Sequence, residues 1–307
     1  MEARRAWLTV ILAAAVCAAG AAPAAALSAA ALPARTAGTY GGGAVGDYLQ
    51  FVSLRVQPDR RFAAHATLVT SCAPRFGDSL SESVDVRGAR LAEDGRYSAT
   101  TSFSDELVTG IPGIGGLHAE GTIAFSVRVL PGGVARGLVR VRTTYSDPSS
   151  GREISRCDTG RIAWAARRPS PLAGAGGAHA GPGTERGTTS QDEPFLMRVT
   201  RRGRVVDRAG LTVRVGCPSA IGLALDVVAH GLRVRTGRFG ATGRFRRLYT
   251  YPDGREVVEH YGWELRGRFG RRGARGTFEL RGVVRRRSNG ERVGSCESGP
   301  IAWRARP

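Results

Sequence analysis

Apolar residues recur at every second position through most of this chain. Tyr261, Trp263, Leu265, Gly267 and Phe269 alternate with Glu264, Arg266 and Arg268. After Gly270-Arg271-Arg272-Gly273, the residues Ala274, Gly276, Phe278 and Leu280 alternate with Arg275, Thr277 and Glu279. A period of two with one apolar face predicts a half-buried antiparallel hairpin. A loop centred on Arg272-Gly273 sets Glu264 opposite Arg281 and Arg266 opposite Glu279. The tighter register sets Glu264 opposite Glu279, which like-charge repulsion disfavours, so the first register is expected. Earlier in the chain, Ala119 to Val129 and Ala135 to Val141 repeat the form around Pro131-Gly132-Gly133. Val52 to Val56 and Phe62 to Leu68 flank a turn at Gln57-Pro58-Asp59. Val84-x-Val86 and Tyr97 to Phe103 add strands, and Asp94-Gly95 and Asp253-Gly254 mark turns. Beyond the N-terminus no stretch keeps a 3.6-residue period.

The pattern occurs twice. Residues 135–167 align without a gap to 274–306, with 13 of 33 positions identical. Each half also has an earlier cysteine closing an apolar alternation, Leu68-x-Thr70-x-Cys72 and Val213-x-Val215-x-Cys217. Four cysteines allow three pairings. Duplication selects Cys72–Cys157 and Cys217–Cys296, one bond inside each repeat. The expected organisation is a β domain over 38–168, a flexible Pro/Gly/Ser/Thr-rich linker over 169–193, and a second β domain over 194–307. Each repeat is expected to hold seven or eight short antiparallel strands. The fold class is all-β, two tandem copies of a small meander barrel or sandwich. Recurring inward glycines favour strong sheet curvature.

The N-terminus sets an expected compartment. Arg4 and Arg5 precede an uncharged run from Ala6 to Ala19, followed by small residues with A-x-A cleavage sites near Ala24 and Ala26. This reads as a secretory signal peptide over 1–26, with an Ala/Gly-rich lead over 27–37. The run is shorter than the roughly 20 residues of a membrane-spanning helix. Cys17 follows Ala14-Ala15-Val16, without the leucine and small residue that precede a lipid-modified cysteine. An even set of cysteines in an exported chain reads as disulfides.

All 45 basic residues are arginine, and the net charge is +19. With abundant Ala, Gly and Pro, this suits GC-rich coding, and no lysine is present for Schiff-base or phosphate-loop chemistry. Charge is uneven between the copies. Residues 35–168 carry 17 Arg against 13 acids, a net of +4, whereas 194–307 carry 25 against 9, a net of +16. Arg244, Arg246 and Arg247, then Arg271 and Arg272, then Arg285, Arg286 and Arg287 form clusters near turns, two of which could share one end of the domain. They are the candidate contacts to an anionic wall polymer or envelope surface. No aromatic ladder accompanies them, so no specific nucleic-acid partner is indicated.

Catalytic signals are weak. Asp158-Thr159-Gly160 matches an aspartic-protease triplet, but its counterpart is Glu297-Ser298-Gly299, and it lies where a turn is expected. His65, His118, His179, His230 and His260 lack metal-ligand spacing. Gly110 to Gly116 is Gly-rich without a following Lys-Ser/Thr, and reads as a loop. No cofactor, metal or catalytic residue is expected. The ending C-x-[ST]-G-x-I-x-W-x-A-R, at Cys157–Arg167 and Cys296–Arg306, resembles exported β-rich repeat domains of high-GC actinobacteria. The resemblance implies export and duplication but no activity. The sequence thus points to a non-catalytic envelope binding or structural protein. The rival is a carrier holding a small apolar ligand inside the barrel, which requires Trp303 and Phe278 to leave space there.

Overall fold

The structure is a computed structural model and describes residues 7–11, 36–73, 80–107, 117–168, 182–200, 202–217, 220–250 and 255–307. After β1 (Trp7–Ile11), the first copy consists of β2 (Gly38–Val45), β3 (Leu49–Val56), β4 (Arg61–Ala73), β5 (Leu80–Arg90), β6 (Arg96–Leu107), β7 (Leu117–Leu130), β8 (Val134–Ser146), β9 (Glu153–Asp158) and β10 (Ile162–Arg167). The second consists of β11 (Gly183–Thr189), β12 (Pro194–Val199), β13 (Val205–Cys217), β14 (Ala220–Arg233), β15 (Arg238–Thr250), β16 (Glu256–Gly270), β17 (Gly273–Arg286), β18 (Arg292–Glu297) and β19 (Ile301–Arg306). Each copy therefore has nine strands, more than the seven or eight expected, and no helix is present among the described residues.

Pairing closes a ring of six strands in each copy. In copy 1 the order is β2–β3–β4–β9–β8–β10 and back to β2. In copy 2 it is β11–β12–β13–β18–β17–β19 and back to β11. Closure depends on two long strands that change partner. The first half of β8 pairs with β10 and its second half with β9. Likewise β4 pairs with β3 and then, at Ser71–Ala73, with β9. The disulfide sits at this closure. Cys72 lies directly opposite Cys157, and Cys217–Cys296 occupies the equivalent place. The duplication that selected these pairings is thus complete at the level of topology.

Each barrel is filled by its own aromatic core. Trp164 packs on Phe125 in copy 1, and Trp303 stacks on Phe195 in copy 2 with ring centroids 4.0 Å apart. The inward glycines that suggested curvature also seat rings. A side chain at Gly137 would run into Trp164 and the Ser126 carbonyl, and one at Gly276 into Trp303 and the Arg266 carbonyl.

Two expectations are corrected. Glu264 lies opposite Glu279, not Arg281, and Arg266 lies opposite Thr277. The core determines this register, since it sets Leu265 against Phe278 and Phe269 against Ala274. The carboxylates are relieved within their own strands, Glu264 by Arg266 at 2.6 Å and Glu279 by Arg281 at 2.6 Å. The second correction concerns the linker. Strand β11 lies inside 169–193, so copy 2 begins well before residue 194. Its alternation is hidden because the inward side chain, at the place of Tyr40 in copy 1, is Glu185, followed by Gly187. Asp253-Gly254, the Gly110–Gly116 loop and His179 lie outside the described residues. Strand β1 falls in the stretch read as a leader and runs parallel to β5, from Trp7 opposite Ser81 to Ile11 opposite Asp85.

The copies pack outer face to outer face along β2/β3 and β11/β12. Leu49 and Phe51 bury against Leu196. Gly41 has no room for a side chain against the Gly187 carbonyl and Thr188. An Arg208 Nη1 donates to the Gly46 carbonyl at 2.7 Å. Leu196 belongs to the run Pro194–Met197, which is buried on both faces. A continuous apolar run is the mark of a strand with no solvent face.

Candidate anion-binding surface

Because side chains alternate across a strand, the inward core residues fix which arginines face out. On β19 the inward Trp303 and Ala305 leave Arg304 and Arg306 outside. On β15, β16 and β17 the inward Phe239, Phe269 and Ala274 place Arg238, Arg268 and Arg275 outside. The registers align these residues: Arg238 is opposite Arg268, Arg268 opposite Arg275, and Arg275 opposite Arg304. Four arginines thus form one row across four strands, roughly 14 Å long at sheet spacing. Copy 1 has the same row, with Arg96 opposite Arg128 and Arg128 opposite Arg136. Among the described residues, only Arg96 of these seven has a carboxylate in ion-pair reach, Asp94 at 2.9 Å. A groove of about 780 Å³ runs over the copy 1 row and is lined by Arg96, Ser98, Ser126, Arg128, Arg136 and Leu138.

The arginine clusters singled out from sequence are divided by the fold. Arg271 and Arg272 are exposed in the β16–β17 turn, at one end of the domain. Arg285, Arg286 and Arg287 are exposed at the other end of β17, near the rows that carry Arg246 and Arg247. Two clusters therefore do share one end. Several of these charges are already engaged. Arg286 pairs with Glu291 at 2.9 Å, Arg287 with Glu256 at 2.7 Å, and Arg285 donates to the Gly290 carbonyl. Arg247 alternates inward and acts electrostatically on Tyr261, whereas Arg244 and Arg246 face solvent. The in-register rows were missed because they combine single arginines from strands far apart in sequence.

The Asp158-Thr159-Gly160 triplet is a turn lock. The Thr159 hydroxyl accepts from the Val141 N–H at 2.9 Å, and Ser298 does the same for Leu280 at 3.0 Å. Gly160 and Gly299 take φ of 66° and 62°, which explains why the repeat keeps [ST]-G there. Asp158 is gripped by Arg140 through two hydrogen bonds of 3.0 and 2.6 Å. The Arg140 bonds above all, then the Gly160 N–H and Arg142, hold its carboxyl down at about 2 against the opposing effect of burial. An acid so tied to cations does not share a proton with a second carboxylate.

Among the buried glutamates, Glu82 and Glu185 have strongly perturbed carboxyls. Glu82 accepts from Thr143 at 2.9 Å and Tyr145 at 3.1 Å, while its Oε2 has no partner. Burial pushes it up to about 7, against those two hydrogen bonds. Burial likewise pushes Glu185 up to about 7, opposed by the Ala274 N–H. Between the ordinary value of 4.5 and about 7, the folded chain holds more protons than the unfolded chain. Stability from these groups therefore falls as pH rises through that window, by at most roughly 3 kcal/mol each. Glu82→Gln is expected to flatten the decline: urea denaturation at pH 5 and 7.5 should show a smaller difference for the variant than for the natural chain. Equal differences would refute the assignment.

The barrel interiors are occupied. Trp303 and Phe278 are each 1% exposed. The space that an internal apolar ligand needs is filled there by side chains, and the groove over the copy 1 row takes Leu91, Tyr97 and Val127 into its lining besides the polar residues.

No family model matches the chain, and no curated protein matches it. Among solved structures, a Bacteroides fragilis chain described as a candidate outer membrane protein aligns over 89% of this chain and 98% of its own. The identity is 9% and the TM-score 0.20, and the alignment carries no argument here.

Proposed function

We propose that this is an exported, non-catalytic protein of the cell envelope that binds a linear anionic polymer on the outer faces of its barrels. The observation that carries the reading is the arginine row, present at equivalent places in both copies. Like charges directly opposite one another destabilise a sheet. Rows of them in which only Arg96 has a carboxylate within reach among the described residues are a standing cost that a bound polyanion offsets. Two stapled barrels suit an oxidising compartment, and leader removal would uncover the β5 edge that β1 covers. The copy 2 row supplies the stronger attachment, given its fourth arginine and the net charge of +16 over 194–307.

The test is binding of the full chain to poly(glycerol phosphate) across a salt series. Each phosphate contact contributes about 0.7 to the slope of log K against log salt for a flexible chain. Arg268→Gln/Arg275→Gln/Arg304→Gln is expected to lower the slope by about 2 and weaken binding at least tenfold. Arg286→Gln/Arg287→Gln should change it less, because those charges are paired. Unaltered binding by the row variant would exclude the row as the site.

A further inference from the structure

The two rows meet where the copies touch. On the copy 1 side the outward residues are Arg136 on β8 and Arg167 on β10. On the copy 2 side they are Arg186 on β11 and Arg306 on β19, directly opposite each other in the register. Arg186 crosses to copy 1 where Gly42 has no side chain: a Cβ there would stand 3.2 Å from the Cβ of Arg186. Arg167 and Arg306 are the same position of the repeat, so the seam brings equivalent cations together, as a two-fold packing does.

Four guanidinium groups thus converge without a counter-charge. Arg167 feels Arg306 and Arg136, and Arg186 feels Arg167 and Arg136. Burial first, and these neighbours second, push both guanidinium groups down from their ordinary value. The Nε atoms of Arg186 and Arg306 are both buried with no hydrogen-bond partner. The Arg186 Nη1 finds the Thr184 carbonyl at 3.2 Å, a neutral acceptor. The carboxylates at the copy interface lie elsewhere: Glu193 and Asp226 act on His65, which is bonded to Asp85. No carboxylate is within ion-pair reach of the four arginines among the described residues. Buried donors without acceptors and like charges without counterions are each costly, and a multidentate oxyanion relieves both.

We infer that the seam is a phosphate site built jointly by Arg136, Arg167, Arg186 and Arg306, and that it seats one phosphodiester of the polymer proposed above while the flanking rows take its neighbours. The inference rests on the polyanion reading for the polymer, but not for the phosphate group itself. Arg136 belongs to both the copy 1 row and the seam. On the other side Arg306 is followed, one strand step away on the same face, by Arg304, the end of the copy 2 row. The site exists only when both copies are present, which gives the duplication a role. Among the described residues, Tyr48 is the sole aromatic of the large apolar side chains that stand exposed, and it lies on neither row. The site therefore offers no base-stacking platform, and a polyol or sugar phosphate suits it better than a single-stranded nucleic acid.

The experiment uses the full chain and Arg186→Gln/Arg306→Gln. Inorganic phosphate should raise the melting temperature of the natural chain in a saturable way and leave the seam variant unmoved. Without phosphate, the seam variant should melt no lower than the natural chain, since its removed charges repelled one another. Poly(glycerol phosphate) should bind the seam variant with a salt slope lower by about 1 to 1.5. Equal phosphate responses in both proteins would overturn the seam site, whatever the rows do. If phosphate stabilises only the natural chain but neither protein holds the polymer, the seam stands and the polymer reading fails. Seam-dependent binding of poly(dT) as tight as that of poly(glycerol phosphate) would overturn the polymer class.

Discussion

Trp303→Ala is expected to destabilise the second barrel by about 3–5 kcal/mol, the usual loss for a buried large aromatic. The indole is 1% exposed, lies face to face with Phe195 at 4.0 Å and 4°, and contacts Phe239 at 6.0 Å. Its Nε1 donates to the Thr277 carbonyl at 3.3 Å. The ring covers Gly276 on the adjacent strand, so its removal opens a void that backbone alone cannot fill. Gly276→Ala attacks the same contact from the other side, because the added methyl meets both the ring and the Arg266 carbonyl. Urea denaturation followed by tryptophan fluorescence and far-UV circular dichroism would measure both variants. Trp263→Ala is the control, being only half-buried. A loss below about 1 kcal/mol for Trp303→Ala would mean that the ring does not organise the barrel.

Cys217→Ser/Cys296→Ser is expected to cost about 2–5 kcal/mol, and more than Cys72→Ser/Cys157→Ser. The loops closed are similar, 79 and 85 residues, so chain entropy does not separate the two bonds. The difference is in ring closure. In copy 1, β4 and β9 pair at three positions, Ser71–Asp158, Cys72–Cys157 and Ala73–Arg156. In copy 2, β13 and β18 pair at one, Gly216–Glu297. Without its disulfide the second ring has little left to hold β18 against β13. Thermal melts of the two double variants, with and without reductant, would show it. An equal loss in both would mean that the strand pairing at closure contributes little.

Much of the fold was legible in the chain. Period-two alternation located β7, β8, β16 and β17 because those strands have one dry face and one wet face. The repeat selected the disulfides because the ungapped 135–167 and 274–306 segments carry all but the first residue of β8 to β10 and of β17 to β19. Alternation failed at β11, where the inward position holds Glu185 and the next inward position is glycine. It also gave no warning of a second apolar contact at Leu49, Phe51 and Leu196, which is made between copies.

The candidate site was legible only in part. Charge asymmetry pointed to arginine on the second copy, but in the local cluster Arg285–Arg287 two of the three charges already pair with glutamates. Spacing along the chain cannot show that Arg238, Arg268, Arg275 and Arg304 share one row. They span 66 residues of chain, with gaps of up to 30 between neighbours in the row, and meet only through strand register.

The sequence by itself determined the strand class, the duplication, the disulfide partners and which face of each strand is apolar, since all of these follow from local alternation and from comparing one half with the other. Tertiary structure alone decided that Glu264 faces Glu279, that single arginines align into rows, and that Arg136, Arg167, Arg186 and Arg306 meet at a seam. Those outcomes depend on register and on face-to-face packing. Both are set by the fit of the aromatic cores and of the copy interface rather than by any residue's neighbours in the chain.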